Sequence, residues 1–246
     1  MGEILSTLQK MAMPGVSGLE LDKEAERLIY AAGGEPAFKG YQTHKNDIPF
    51  PGTICFSLNE EVVHGIPTAE KIIKDGDIVS IDIGMRYPKN TGFFTDTAVT
   101  FTVGEVDPKI TELLRVTKQA LEVGIKQVKI GSSIFAIGEA IENYINSQGK
   151  YGIVRDLVGH GVGHAVHEEP RVPNYTDESL KKWIIEPGVV IAIEPMVTLG
   201  SYEVDTAADG WGIVARDGSL SAHFEHTIIV NEDGAVVATR RPGETI

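Results

Sequence analysis

The sequence of this chain contains an internal repeat of helix and strand signals, which strongly limits the folds it can adopt. Two helical segments each span 18 residues between glycines, one from Gly15 to Gly33 and one from Gly131 to Gly149. Two strand-like runs also match, since each begins with glycine and ends six residues later with a carboxylate: GDIVSID at 76–82 and GVVIAIE at 188–194. Such a repeat predicts two similar halves that face each other across a cleft, each with a carboxylate at the same place.

Helical and strand signals alternate along the chain in two rounds. Ser17 and Glu20 form a capping-box pair at the start of the first helical segment. Asp107 followed by Pro108 predicts the start of another helix, with aspartate as the N-cap and proline in the first turn. Apolar and polar residues alternate between 53 and 101, and strand-like runs return at 188–194 and 222–230.

Four acidic residues in or beside the strand-like runs predict a cation site. Asp82 and Glu194 interrupt apolar runs, and Asp96 and Glu225 do so more weakly, since His226 could simply pair with Glu225. A buried carboxylate costs several kcal/mol unless it is paired or binds a metal. A structural ion pair is the alternative for each acid, but none of the 22 basic residues lies in the runs that hold Asp82 and Glu194. Convergence of the acids on a cation is therefore favoured.

The charge of this acidic set matches two divalent cations. Four ionised carboxylates balance four positive charges and leave an imidazole such as that of His160 as a neutral ligand. Paired metals bridged by carboxylates and a water recur in aminopeptidases and phosphatases. The residues therefore suggest a hydrolase with two metal ions in its active site.

Three of the seven histidines lie in one glycine-rich run, GHGVGHAVHEEP at 159–170. Imidazole is a common metal ligand and proton-transfer group, and the glycines allow close approach of a strand or ligand around His160. His164 would need a helix to share a face with His160, which the glycines disfavour, so we interpret it as a bystander. The alternative is a glycine-rich loop that happens to hold histidines.

Composition excludes several classes of protein. A net charge of −13 and a pI near 5.0 argue against a sequence-independent nucleic-acid binder. The single cysteine excludes an internal disulfide framework, and no apolar stretch approaches the ~20 residues that span a membrane. We find no secretory leader and expect a cytoplasmic protein without membrane or direct nucleic-acid contacts.

Six segments, in order, together resemble the type I methionine aminopeptidases. They are SLNEEVVHGIP at 57–67, SID at 80–82, TDT at 95–97, GHGVG through HEEP at 159–170, IEPM at 193–196 and AHFEHT at 222–227. The resemblance implies the α+β pita-bread fold, a pseudo-twofold repeat with a central curved antiparallel sheet covered by helices. It implies one catalytic domain over 1–246, with halves of about 1–104 and 105–246.

The resemblance also implies a ligand set and a reaction. Asp82 would chelate one divalent metal, Asp96 and Glu225 would bridge two, and His160 and Glu194 would complete the other. The implied enzyme is a metal-dependent aminopeptidase that removes N-terminal methionine from nascent proteins and peptides through a water that bridges the two metals. Cobalt, manganese, iron or zinc would serve, the ribosome is a candidate partner, and a monomer is expected.

Two further histidines and Glu194 would act in catalysis by the same resemblance. His167 would polarise the scissile carbonyl and the oxyanion that forms. His64 would hydrogen-bond the amide nitrogen and help to protonate the leaving amine, while Glu194 would shuttle protons.

The side-chain pocket implied for methionine is lined by Cys55, Trp211, Phe50 and Tyr41, all of which pack well against a thioether. Three departures from the family pattern bear on it. Val166 replaces a bulkier aromatic residue and would loosen one wall, and the loop 42–47 looks inserted, which puts the position of Tyr41 in question. The chain also begins late relative to the pattern, which is expected to affect the stability of the first half.

Two alternatives come from other functional classes. An aminopeptidase or dipeptidase that cleaves before proline would use the same fold, but the absence of an extra N-terminal domain and the EVVHGIP run disfavour it. A non-catalytic binding protein on this fold should have lost ligands, whereas all five are present.

Overall fold

Helices cover one side of the fold, which a computed structural model describes for residues 1–244. The last two residues of the predicted second half lie outside the described residues. The helices are α1 (Gly2–Met11), α2 (Gly18–Ala31), α3 (Pro108–Ile125), α4 (Ile134–Gln148) and a 3₁₀ helix (Glu178–Lys182). None of the described helices combines the length and the apolar character needed to cross a membrane.

Local capping fixes the helix starts that the sequence predicts. The Ser17 hydroxyl accepts from the backbone N–H of Glu20, and the Glu20 carboxylate accepts from the backbone N–H of Ser17, so the capping box at α2 is complete. Asp107 caps α3 by accepting from the N–H of Lys109. Helix α1 was not predicted from the sequence, and its Leu5 and Leu8 are fully buried in the main core.

Fifteen strands form the remaining layer within the described part of the chain. They are β1 (Glu35–Pro36), β2 (Ile54–Leu58), β3 (Glu61–Val63), β4 (Ile78–Tyr87), β5 (Phe93–Thr102), β6 (Gly152–Ile153), β7 (Gly159–Gly161), β8 (Glu168–Val172), β9 (Val190–Ile193), β10 (Met196–Thr198), β11 (Val204–Thr206), β12 (Ile213–Ala215), β13 (Ser221–His223), β14 (His226–Asn231) and β15 (Gly234–Val237).

All pairings among these strands are antiparallel, and hydrogen bonding divides the expected curved sheet into four sections. The section of the first half places β4 between β2 and β5. The largest section of the second half runs in the order β15, β14, β9, β7, β8. Two three-stranded sections, β13–β10–β6 and β11–β12–β3, complete it.

The two halves repeat the same hydrogen bonds, which confirms the pseudo-twofold fold expected from the sequence. The glycine before α2 donates its N–H to a backbone carbonyl five residues before β4, and the glycine before α4 donates to a carbonyl five residues before β9. The matched bonds are Gly15 to Ile73 (2.9 Å) and Gly131 to Ile185 (2.9 Å), then Gly76 to Val103 (2.7 Å) and Gly188 to Val230 (2.8 Å). Gly76 and Gly188 both need glycine, because their φ angles are 90° and 95°.

The halves join where β5 meets the segment that leads into β14. Asp96 donates its N–H to the Thr227 hydroxyl at 2.8 Å, and that hydroxyl donates to the Asp96 carbonyl at 2.8 Å. Glu225 donates its N–H to the Ala98 carbonyl at 3.1 Å. Two acidic residues, one from each half, are therefore placed at the seam, Asp96 by the Thr227 hydroxyl and Glu225 by a backbone carbonyl.

Candidate metal centre and substrate cavity

One cavity of about 290 Å³ contains all eleven site residues singled out by the sequence analysis. Five carry metal-type donors, two are the histidines predicted to act in catalysis, and four belong to the expected methionine pocket. These residues are Asp82, Asp96, His160, Glu194 and Glu225, then His64 and His167, then Tyr41, Phe50, Cys55 and Trp211.

Strand register brings the two acids of the first half to one face of the sheet. Asp82 on β4 pairs with Ala98 on β5, and Asp96 on β5 pairs with Gly84 on β4, so the two acids are diagonal neighbours. Both are buried, at 8% and 3% exposure. Gly84, opposite Asp96, lets the Phe38 ring pack closely against β4, because an added Cβ would lie 2.6 Å from Phe38 Cε1.

The second half supplies the remaining three donors from the ends and edges of its strands. His160 lies on β7, Glu194 follows β9, and Glu225 lies between β13 and β14. His160 Nε2 is 3.6 Å from Glu194 Oε1 and 4.0 Å from Asp96 Oδ2. One ligand atom each from Asp96, His160 and Glu225 falls within 4.8 Å of the others.

Burial makes this acidic cluster unfavourable without a cation. Desolvation raises the pKa of Asp96 to about 7 and that of Glu194 to about 8. Burial, followed by the charge of Asp96, raises the pKa of Asp82 and of Glu225 well above the ordinary range. No lysine or arginine in the described part of the chain forms an ion pair with any of the four acids.

Unsatisfied buried oxygens provide a test of whether metal ions fit this site. Asp82 Oδ1 and Asp96 Oδ1 are both buried without a hydrogen-bond partner. A buried anionic oxygen without a donor is costly, whereas a divalent cation uses it as a ligand. The residues present therefore fit divalent metal ions.

The surroundings of His160 keep its imidazole neutral, with a lone pair available for a metal ion. Its Nδ1 lies 2.9 Å from the Gly161 carbonyl oxygen, which can only accept, so Nδ1 carries the proton and Nε2 presents a lone pair. Burial lowers the pKa of His160 to about 3, so the ring is uncharged at neutral pH.

His167 and His64 lie beside the acidic cluster rather than within it. The His167 ring packs edge-on against His160, with centroids 4.3 Å apart, and its Nδ1 is 2.8 Å from the Tyr41 hydroxyl. His64 follows β3 with a φ of 58°. Burial lowers its pKa to about 4, so it is a neutral imidazole that can both donate and accept a hydrogen bond.

An apolar region adjoins the acids in the same cavity. Phe38, Phe50, Cys55 and Val166 form a small buried cluster. Trp211 packs edge-on against Phe50 with ring centroids 5.2 Å apart, and its indole N–H donates to the Ile48 carbonyl at 2.9 Å. This region is suited to an unbranched apolar side chain whose backbone end lies beside the acids.

The loop 42–47 leaves Tyr41 at the cavity wall. Tyr41 donates its N–H to the Phe38 carbonyl at 2.8 Å and accepts at its own carbonyl from the N–H of Phe50 at 2.8 Å. The loop closes on itself, since the Gln42 side chain donates to the Asp47 carbonyl at 2.6 Å. The loop therefore projects from a base in which both backbone groups of Tyr41 are hydrogen-bonded.

Sequence reasoning missed three residues at the site. Phe38 and Thr43 line the cavity, but neither belongs to a periodic segment or a motif. His223 is buried, and its Nε2 lies 3.3 Å from Glu194 Oε2. The available signal for His223 was its position two residues before Glu225 in AHFEHT.

Two other histidines have roles outside the cavity. His164 is exposed and packs edge-on against Phe93 at 5.1 Å, so it does not line the cavity. The suggested pairing of His226 with Glu225 is wrong, because His226 Nε2 lies 3.3 Å from Glu244 and its Nδ1 lies 2.9 Å from the Thr239 hydroxyl.

Comparisons with known proteins agree with this arrangement. The profile of metallopeptidase family M24 matches residues 1–232. A methionine aminopeptidase of Borreliella burgdorferi is 49% identical over 226 residues, which cover 92% of this chain and 86% of the relative. The crystal structure of a methionine aminopeptidase of Thermotoga maritima superposes with a TM-score of 0.89 at 40% identity, covering 97% of this chain and 91% of that one.

A structure from the rival class shares the fold alone. An Xaa-Pro dipeptidase of Bacillus anthracis superposes with a TM-score of 0.72 at 24% identity, and this chain covers 58% of it. The Thermotoga protein is matched more closely and over nearly its full length. The chain therefore has the pita-bread fold and belongs to metallopeptidase family M24.

Proposed function

We propose that this protein is a methionine aminopeptidase, a metal-dependent hydrolase that removes methionine from the N-terminus of peptides and nascent proteins. The observation that carries the proposal is the composition of one cavity, in which a set of metal-type donors adjoins an apolar region. Relatives that match most of this chain are methionine aminopeptidases, which favours this activity over cleavage before proline and over a non-catalytic role.

Five residues would hold two divalent metal ions. Asp82 would bind one ion, Asp96 and Glu225 would lie between the two, and His160 and Glu194 would complete the second. Carboxylates with a single imidazole suit manganese, iron, cobalt and zinc, and the donor set does not select among them. Bound divalent cations would supply Lewis-acid activation of a water molecule and of the substrate carbonyl.

The chain's own residues would position the substrate and move protons. His167 would donate a hydrogen bond to the carbonyl oxygen of the bond being cleaved, and this contact strengthens as negative charge develops there. His64, a neutral imidazole at the cavity wall, would hydrogen-bond the amide nitrogen and supply a proton to the leaving amine. Glu194 would accept the proton that the attacking water loses.

The apolar region would select the first side chain of the substrate. Phe50, Cys55, Tyr41 and Trp211 surround a space suited to a flexible thioether. Because Val166 is small, we expect this wall to tolerate side chains slightly larger than methionine.

The whole chain would act as one catalytic domain, with the two halves contributing different ligands. We further propose that it acts in the cytoplasm as a monomer on chains that emerge from the ribosome. The single cysteine fits a reducing compartment such as the cytoplasm.

Three tripeptides of equal length test the proposed activity: Met-Ala-Ser, Leu-Ala-Ser and Ala-Pro-Ser. Each is incubated with metal-free protein to which manganese, iron(II), cobalt or zinc is added, and free amino acids are measured by mass spectrometry. Methionine release from Met-Ala-Ser, with far less release from the other two, is expected. Preferential release of alanine from Ala-Pro-Ser would replace the proposal with cleavage before proline. Absence of any release with all four metals would support a binding protein.

A further inference from the structure

A tyrosine from the first half of the chain is hydrogen-bonded to a catalytic histidine of the second half. The Tyr41 hydroxyl lies 2.8 Å from Nδ1 of His167, 126 positions away in sequence. The two rings meet edge-on with centroids 5.0 Å apart and planes inclined at 62°. The two backbone hydrogen bonds of Tyr41, to Phe38 and from Phe50, fix the base from which its side chain extends.

Elementary acidity decides which group donates in this bond. A phenol O–H ionises near pH 10, whereas the N–H of a neutral imidazole is a far weaker acid. The imidazole lone pair is also a much better acceptor than a phenol oxygen. The favoured arrangement therefore has the Tyr41 O–H donating to a bare Nδ1, which leaves the single ring proton of neutral His167 on Nε2.

The neighbouring histidine is held in the opposite state. The Gly161 carbonyl requires the proton of His160 to lie on Nδ1 and leaves Nε2 free as a lone-pair ligand. The two rings are only 4.3 Å apart, yet their partners assign opposite tautomers. One ring is arranged to bind a cation, and the other is arranged to donate a hydrogen bond.

We propose that Tyr41 is a positioning residue that holds His167 as the Nε2–H tautomer, so that His167 donates to the carbonyl oxygen of the substrate. The inference rests on the proposed function, because it concerns the group that would contact that oxygen. His167 Nε2 has no hydrogen-bond partner within residues 1–244, and His167 lines the cavity. Tyr41 thus contributes a hydroxyl as well as apolar pocket surface.

The tautomer can be read directly by NMR on protein with ¹⁵N-labelled histidine, loaded with diamagnetic zinc, at pH 8. Two-bond ¹H–¹⁵N correlations distinguish protonated from bare ring nitrogens, and the spectrum of His167→Ala assigns the signals. We expect His167 to show a protonated Nε2 and a bare, hydrogen-bonded Nδ1. In Tyr41→Phe the Nδ1 signal should move toward that of a nitrogen without a donor. A protonated Nδ1 in the unaltered protein would overturn the proposal.

Kinetics on Met-Ala-Ser test whether Tyr41 acts through His167. Tyr41→Phe keeps the ring in the pocket and should lower kcat about tenfold with KM within about twofold, since orientation of a catalytic donor affects mainly the transition state. In the His167→Ala background the same substitution should have no further effect on kcat. Additive losses, or a rise in KM alone, would show that Tyr41 only builds the pocket.

A matched control removes a tyrosine hydroxyl far from the cavity. Tyr30 lies on α2 and is 47% exposed, so Tyr30→Phe should leave both kcat and the histidine spectrum unchanged. The methionine-release assay and the NMR measurement test the proposed function and the role of Tyr41 separately. If the unaltered protein releases no methionine, the proposed function fails while the tautomer is still read by NMR. If methionine is released but Nδ1 is protonated, only the role of Tyr41 fails.

Discussion

Removal of divalent cations should make the stability of this protein strongly dependent on pH. In the metal-free folded state Asp96 keeps its proton up to a pKa of about 7, whereas in the unfolded chain it loses that proton near 3.8. Between these values the unfolded state binds fewer protons than the folded state. The free energy of unfolding therefore falls as pH rises through this window, and the loss is complete above about 7.

The size of the stability loss follows from the shift in the Asp96 pKa. One pKa unit corresponds to about 1.4 kcal/mol, so the roughly two units between pH 5 and the Asp96 pKa of about 7 amount to about 3 kcal/mol for Asp96 alone. For a domain of this size each kcal/mol shifts Tm by roughly 2–4 °C, so the expected difference is on the order of 10 °C. Glu194 acts in the same direction, because its pKa is raised to about 8.

Differential scanning calorimetry from pH 5 to pH 8, with and without chelator, measures this directly. Metal-saturated protein should lose little stability over the range, because the cations bind the ionised carboxylates. Metal-free Asp96→Asn should show a shallower dependence on pH, and the exposed control Asp233→Asn should behave as the unaltered protein. Parallel Tm curves with and without chelator would contradict this prediction, since the acids would then not need a cation.

Three other substitutions separate the roles of the site residues. His167→Ala should lower kcat about 100-fold or more while metal content, measured by atomic emission, stays near that of the unaltered protein. His223→Phe should weaken metal binding about 10- to 100-fold in calorimetric titration, because it removes the imidazole beside Glu194, whereas His223→Gln should weaken it less. Phe50→Ala should raise KM for Met-Ala-Ser several-fold with little change in kcat, because it removes part of the pocket wall beside Trp211. Unchanged metal affinity in His223→Phe, or unchanged KM in Phe50→Ala, would contradict the assigned contact.

The site residues that could be predicted from the sequence are those whose own segment makes them energetically unfavourable, such as a buried carboxylate or a residue with positive φ. Asp82 interrupts a strand that is buried on both faces, where a lone carboxylate needs a partner, and Arg86 of the same strand pairs with Glu35 instead. Gly76 and Gly188 mark equivalent turns, because each adopts a φ near 90° that other residues avoid. Such constraints act within a few residues and can be read from the pattern.

The residues that were missed or misassigned depend on contacts between distant segments. His223 meets Glu194 only because β13 pairs with β10, with Met196 opposite His223. His226 and Glu225 are adjacent in sequence, and successive side chains of an extended chain point to opposite faces, so His226 is directed toward Glu244 instead. Phe38 reaches the cavity from a segment without periodicity. None of these contacts has a signature within its own segment.

Activity should require assembly of the two halves that meet at the seam between β5 and β14. Asp82 and Asp96 come from the first half of the chain, and His160, Glu194 and Glu225 come from the second. Neither half alone contains enough of the donor set to hold both cations, so each cation would act as a crosslink between them. Two fragments divided after Gly104 should therefore be inactive apart and regain methionine release only together, with reassociation strengthened by divalent ions. The ions would therefore both take part in hydrolysis and bind fully only when the two halves are correctly assembled.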